Sequence, residues 1–317
     1  MIATVAVVGS GYMGGGIAQV LALSGRAVRL ADVSAEHAAR SRDRIIAEAH
    51  DFAGRGLFPA DAGDIVAAAV TAADTIEDAV SGADFVEEAV PEILTIKHDI
   101  LRRISAAAPP AAIIGSNTST IAISRLAEAV AEPSRFIGVH FSNPAPFIPG
   151  VEVIPHAATA PDVAGDVIAL LAECGKTGVE IADVTGFVLN RLQYALFTEA
   201  SRLVEEGVAD AQSIDLIART TFGFRLPFFG PFAIADMAGL DVYDFCYTSL
   251  SEAYPDRFAA PAALTERVSR GELGVKSGRG FTATPPERAA ALVAYRDAAY
   301  RAMADLVRDV GPAPIDY

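Results

Sequence analysis

Basic residues are scarce in this chain: 25 Lys and Arg stand against 40 Asp and Glu, a formal net charge of -15. That balance argues against a nucleic acid as the main partner, because such binding is driven by cations that neutralise phosphates. Small anionic ligands remain open where local donors meet them. Cysteine is nearly absent. Cys174 and Cys246 have no paired spacing and no histidine companions, which points to neither a disulfide framework nor a zinc site, so two core thiols and no bound metal are expected. No apolar run approaches the ~20 residues of a membrane helix, and a first strand starting at Ile2 leaves no leader segment, so a cytoplasmic protein without membrane attachment is expected.

What is present is enough apolar sequence for substantial cores, 52% of 317 residues, and two domains are expected at this length. From residue 1 to about 183, short β-branched runs alternate with Ala-rich helical stretches. The runs are "IATVAVVG", "AVRLAD", "AVTAA", "ADFVEEAV", "AAIIGSN", "RFIGVHF", "VEVI" and "GVEIAD". Such alternation predicts an α/β fold, a Rossmann-like and mostly parallel sheet covered on both faces. A helix over Ala35 to about Arg55 interrupts the spacing and predicts a projecting helical pair. From residue 184 to 317 the pattern is helical throughout, predicting a second, all-helical domain with helices at Gly186 to Glu206 and Ala211 to Thr220.

The segment "VAVVGSGYMGGG" places Gly9, Gly11 and Gly14 in a G-x-G-x-x-G spacing between a strand and a helix, with Tyr12 and Met13 inside the turn. Such a turn brings backbone amides and a helix N-terminus to a pyrophosphate. Asp32 follows the second strand, where a carboxylate can accept both ribose hydroxyls and repel a 2′-phosphate; "DVSAEH" has no Lys or Arg to rescue one. NAD is therefore favoured over NADP. A helix-capping role for Asp32 is compatible with this, and FAD shares the glycine fingerprint, so the chemical end must decide.

At that end, His140 sits in "HFSNP" and Glu152 is the only polar residue of "VEVI". A carboxylate in an apolar strand needs a charged or hydrogen-bonding partner. With "EEAVPE", "SNTST" and "GFVLNRL" in the same order, and with "GPFAIADMAGLDVY" and "GVKSGRGF" further on, the chain resembles the L-3-hydroxyacyl-CoA dehydrogenase family along nearly its whole length. The resemblance implies NAD as cofactor, a helical domain that commonly forms a homodimer, and a 3-hydroxyacyl group carried on coenzyme A, as in the 3-hydroxybutyryl-CoA dehydrogenases of that family. It maps His140 onto the catalytic histidine, Glu152 onto its carboxylate partner, and Ser119 and Asn190 onto residues beside the substrate oxygen. Glu92 and Lys97 match positions near the cofactor and cleft, and Asn117 and Asn143 match positions bordering the nicotinamide.

The chemistry wants the same types. Oxidising a secondary alcohol requires a base that titrates near neutrality, and imidazole is one. Plainer readings stand beside these roles: His140 as a structural histidine, Ser119 as a helix cap, Asn190 on a surface, Lys97 and Arg55 solvated, and Phe222, Phe224, Phe228, Phe229 and Phe232 as core or dimer contact rather than an acyl pocket. Ser142 and "FIPGVEV" depart from the family's commonest pattern, and Pro149 in the latter resembles relatives acting on free hydroxy acids, which tend to carry a proline there. A hydroxyacyl thioester, a free hydroxy acid and a non-catalytic NAD-binding role all remain open here.

Overall fold

The computed structural model describes residues 2–315; the outermost ends of the expected domains, Met1, Asp316 and Tyr317, lie outside it. The chain divides into two compact units, Met1–Leu196 and Phe197–Tyr317.

In the first unit eight strands form one sheet: β1 (Thr4–Val8), β2 (Ala27–Ala31), β3 (Val70–Ala72), β4 (Phe85–Glu88), β5 (Ile113–Ser116), β6 (Phe136–Phe141), β7 (Gly150–Ile154) and β8 (Thr177–Glu180). Their order is β3-β2-β1-β4-β5-β6-β7-β8, and every pairing is parallel except the β6–β7 hairpin. Six lie within the apolar runs expected to form strands, and β7 and β8 each start one residue before theirs. Between them run α1 (Tyr12–Leu23), α2 (Ala35–Gly54), α3 (Ala62–Ala69), α4 (Ile76–Val80), α5 (Leu94–Ala107), α6 (Ile123–Ala127) and α7 (Pro161–Glu173). The continuous apolar strands are explained by cover on both faces. Ile17 and Leu21 of α1, Ile45 of α2 and Val167 of α7 pack on one side. Val80 of α4, Leu101 of α5 and Leu126 of α6 pack on the other.

The sequence continues through α8 (Leu189–Glu205), α9 (Ala211–Thr220), α10 (Phe222–Arg225), α11 (Pro231–Ala238), α12 (Leu240–Ala253), α13 (Ala262–Ser269) and α14 (Pro286–Val310). The second unit carries helices and isolated bridges, with no strand among its described residues. Buried Asp236 accepts hydrogen bonds from the Phe281 and Thr282 amides and the Thr282 hydroxyl, which ties "GVKSGRGF" to α11. Phe224, Phe228 and Phe229 surround Tyr300, and Phe232 stacks on Phe281, so this aromatic cluster packs within the helical unit. Cys246 is exposed on α12, contrary to the expected core thiol, because α12 turns Leu240, Tyr243 and Tyr247 toward the unit's core instead; Cys174 is half-buried against Ser24. Among the described residues no helix is long and apolar enough to cross a membrane, and no group of three ligating side chains could hold a metal ion.

One residue opposes the fold. Glu87 of β4 is fully buried, its carboxyl lies over Gly115, and neither oxygen has a hydrogen-bond partner. Burial, reinforced by the neighbouring Glu88 and only partly offset by Lys97, pushes its pKa well above the usual carboxylate range. A raised folded-state pKa means stability present at low pH is lost as pH rises from about 4.5 through the folded value, at up to about 1.4 kcal/mol per pH unit. Glu87→Gln keeps the shape and cannot ionise. Its stability relative to the parent is therefore expected to increase with pH, by about 1–3 kcal/mol at pH 7 in urea unfolding; a pH-independent difference would contradict the neutral, uncompensated state.

Candidate active site

The glycine turn is shaped by close approach. Gly9 has φ +96°, and a Cβ there would lie 2.7 Å from the Ala89 carbonyl carbon. A Cβ on Gly14 would collide with the Gly9 carbonyl oxygen, so the third glycine lets α1 start directly against β1. Gly11 differs: nothing lies within 4 Å of a Cβ built on it. The α1 N-terminus has no side-chain cap and no acidic residue in its first turn, so its orphan N–H groups have no side-chain acceptor from the cap.

A cavity of about 680 Å³ runs from Gly9, Gly11, Tyr12 and Met13 past Asp32 and Val33 to Ile76, Ile96, Ile100 and Arg103. Asp32 follows β2 and accepts hydrogen bonds from the Ser10 amide and the Val33 amide, both at 2.7 Å, and from the Ser10 hydroxyl. Burial pushes its carboxyl up, but these bonds and the nearby His37 outweigh burial and hold it below the usual range. An ionised acceptor, uncapped amides at a helix N-terminus and an isoleucine-lined wall bordered by Arg103 match the ribose, pyrophosphate and base of a dinucleotide.

The second cavity, about 490 Å³, shares Met13 with the first and is lined by Asn117, Ser119, His140, Ser142, Asn143 and Asn190, with Phe141, Ile148, Leu189 and Gln193. His140 and Glu152 are register partners across the antiparallel β6–β7 pair, which sets their side chains on one face. Glu152 Oε2 lies 2.7 Å from His140 Nδ1. Its other oxygen, Oε1, accepts from the Val188 and Leu189 amides at 2.9 Å each, at the start of α8. This carboxylate is tolerated in an apolar strand because it caps a helix and pairs an imidazole. With Nδ1 committed to Glu152, the lone pair of a neutral ring falls on Nε2, 3.2 Å from Ser119 Oγ.

Phe187 closes the ring's other side, its centroid 5.7 Å from that of His140, and is almost fully buried. It occupies the left-handed region at φ 49°, directly after Gly186 at φ 77°. Helix is impossible through that pair, so α8 starts at Leu189 rather than at Gly186, and its amides reach Glu152.

Ser119 is not a helix cap; α6 begins four residues later at Ile123, and the Asp183 carboxylate accepts from the amides there. The serine is held from behind. Asn190 Nδ2 donates to the Ser119 carbonyl at 2.7 Å, which makes Asn190 a bridging residue and not a surface one. Glu92 Oε1 accepts from the Thr118 hydroxyl and the Ser119 and Thr120 amides. Burial raises its carboxyl, but those bonds and Lys97 prevail and hold it low. Lys97, for which a solvated position was the plainer reading, is instead buried: its ammonium lies 2.8 Å from Glu88 and 3.5 Å from Glu92. Glu92 and Lys97 thus stand behind the serine loop rather than on the wall of the larger cavity. Asn117 accepts from the Phe141 amide at 2.8 Å and, like Asn143, lines the smaller cavity.

Four residues escaped sequence reasoning: Glu88, Phe187, Lys176 and Arg103. The strand "FVEEAV" did carry a hint of the first, a second carboxylate in an apolar run. Lys176, nearly buried, donates to the carbonyls of Ala145, Pro146 and Ile148 at 2.6, 3.0 and 2.8 Å, clamping the loop that joins the His140 strand to the Glu152 strand. Burial lowers its pKa, opposed by Cys174. Lys176→Met leaves three carbonyls without a donor. A stability loss of about 2–4 kcal/mol and a KM for the oxidisable substrate about tenfold higher are expected, with NADH affinity by fluorescence unchanged. An unaltered KM would place the clamp outside the site's geometry.

The family profile for the 3-hydroxyacyl-CoA dehydrogenase NAD binding domain matches residues 4–184, and that for the C-terminal domain of the same family matches residues 186–284. The chain is 37% identical over 308 residues to 5-formyl-3-hydroxy-2-methylpyridine 4-carboxylate 5-dehydrogenase of Mesorhizobium japonicum, spanning 93% of this chain and 95% of that protein. A probable 3-hydroxybutyryl-CoA dehydrogenase of Bacillus subtilis is 37% identical over 281 residues, 88% of this chain and 96% of the relative. The crystal structure of a 3-hydroxyacyl-CoA dehydrogenase from Archaeoglobus fulgidus superposes with a TM-score of 0.77 at 31% identity, covering 98% of this chain and 99% of that one. With both family domains matched in order, and a glycine turn with an ionised Asp32 suited to NAD, the chain is an NAD-binding dehydrogenase that belongs to the 3-hydroxyacyl-CoA dehydrogenase family.

Proposed function

We propose that the protein interconverts a short 3-hydroxyacyl thioester, of the 3-hydroxybutyryl-CoA kind, and the corresponding 3-ketoacyl thioester, with His140 as the acid/base. The observation that carries this is His140 held between Glu152 at Nδ1 and Ser119 at Nε2, on the wall of a cavity that meets the dinucleotide cavity at Met13. Bound over the glycine turn and Asp32, NAD supplies the hydride acceptor or donor. His140 Nε2 takes the hydroxyl proton during oxidation and returns one to the carbonyl oxygen during reduction. The imidazolium so formed is stabilised by Glu152, by roughly 4 kcal/mol for charge centres about 4 Å apart at an effective dielectric of 20, before desolvation. Ser119 Oγ, fixed by Asn190 and Glu92, offers the substrate oxygen a second hydrogen bond.

The substrate class follows from charge. The cavity around His140 is lined by amides, hydroxyls and apolar groups and has no Lys or Arg, so it suits an uncharged hydroxyacyl end better than a free carboxylate. A second reading, a small free hydroxy acid, is favoured by the Mesorhizobium relative, whose named substrate is a pyridine carboxylate and which matches slightly more of this chain than the Bacillus hydroxybutyryl-CoA relative does. Loss of NADH absorbance with acetoacetyl-CoA, set against free 3-keto acids, separates the two. Turnover of the thioester alone supports the first reading, turnover of free acids alone the second, and binding without turnover would leave neither. We also read the second unit as the one that pairs two copies of the chain: it exposes Phe232 and Phe245, large apolar side chains that a homodimer can cover. Light scattering at twice the chain mass checks this. The cytoplasm remains the proposed location.

A further inference from the structure

The dinucleotide cavity contains a cation that the sequence around Asp32 does not supply. Ile96, Ile100 and Arg103 recur at i, i+4 and i+7 on α5, and all three line the cavity. The stripe shares this cavity with Asp32, the residue read as the acceptor for the adenosine ribose. There a 2′-phosphate is all that distinguishes NADP from NAD.

Arg103 is already engaged. Its Nε lies 2.8 Å from Glu77 Oε1 and its Nη2 lies 2.9 Å from Glu77 Oε2, a parallel two-bond pairing that uses the face of the guanidinium best suited to a phosphate. Glu77 stands in the first turn of α4, next to Ile76, itself a cavity residue. The hydrogen bonds from Arg103 hold the Glu77 carboxyl low, and those to Glu77 raise Arg103, so both groups stay charged at neutral pH.

We propose that Glu77 determines cofactor specificity: by occupying Arg103 it denies a 2′-phosphate the guanidinium of the α5 stripe, and so adds to the repulsion from Asp32. This rests on Asp32 as the ribose acceptor. Both side chains are nearly half exposed, 48% for Arg103 and 45% for Glu77, and exposed pairs contribute little to stability. Removing Glu77 therefore frees the guanidinium without costing the fold. The scale of such a pair, up to about fivefold in an equilibrium constant, sets the expected gain.

Equilibrium binding of NADH and NADPH, followed by nicotinamide fluorescence, tests this on the parent protein, Glu77→Gln, Asp32→Asn, the double variant, and Glu77→Gln combined with Arg103→Met. Glu77→Gln is expected to tighten NADPH about fivefold while NADH stays within about twofold. The same factor should multiply onto Asp32→Asn, and Arg103→Met should cancel it. The Asp32→Asn arm reads the ribose assignment separately: a NADH/NADPH ratio unchanged by it refutes that assignment, whatever Glu77 does. Unchanged NADPH affinity on Glu77→Gln in both Asp32 backgrounds, or a gain that survives Arg103→Met, overturns the proposal.

Discussion

His140→Gln is expected to lower kcat by about 10²–10⁴-fold while leaving NADH affinity nearly unchanged. The imidazole is the one acid/base side chain on the cavity wall, with Nε2 beside Ser119 Oγ and Nδ1 held by Glu152. Glutamine retains a polar tip of similar reach but cannot carry the proton. The residue lies on the wall of the smaller cavity and not among those of the dinucleotide cavity, which is why cofactor binding should survive. Fluorescence titration with NADH and steady-state kinetics on one preparation check both halves. Equal loss of cofactor binding would make the residue structural.

Glu152→Gln should come next, with kcat down about 10²-fold. The replacement amide oxygen can still receive the Val188 and Leu189 amides, so the start of α8 is retained. What disappears is the negative charge 2.7 Å from Nδ1, and with it the stabilisation of the imidazolium and the bias of the proton toward Nδ1. The effect should fall on kcat, with thermal stability close to that of the parent. A large drop in stability at near-normal kcat would show that Glu152 serves α8 and not the histidine.

The sheet was legible because each buried strand announces itself as a β-branched run, and the pairing of His140 with Glu152 because a carboxylate inside "VEVI" has no bland explanation. Partnerships between distant segments were not legible. Glu77 and Arg103 are 26 residues apart and meet only when α4 and α5 pack on the same face of the sheet. Lys97 looks like any amphipathic-helix lysine until Glu88, at the end of β4, is seen to neutralise it. The start of α8 was misjudged because sequence propensity does not disclose the left-handed backbone at Gly186 and Phe187, and that kink is what aims two amides at Glu152. Where the chemistry resides in residue types, the sequence spoke; where it resides in who faces whom, only folding could answer.

The proposed proton shuttle at His140 is tested most directly by the pH dependence of turnover measured in both directions. If one imidazole gives the proton in reduction and takes it in oxidation, the two rates should run along opposite limbs governed by a single ionisation, and both limbs should vanish in His140→Gln. Limbs that persist in that variant, or two directions governed by different ionisations, would contradict the account.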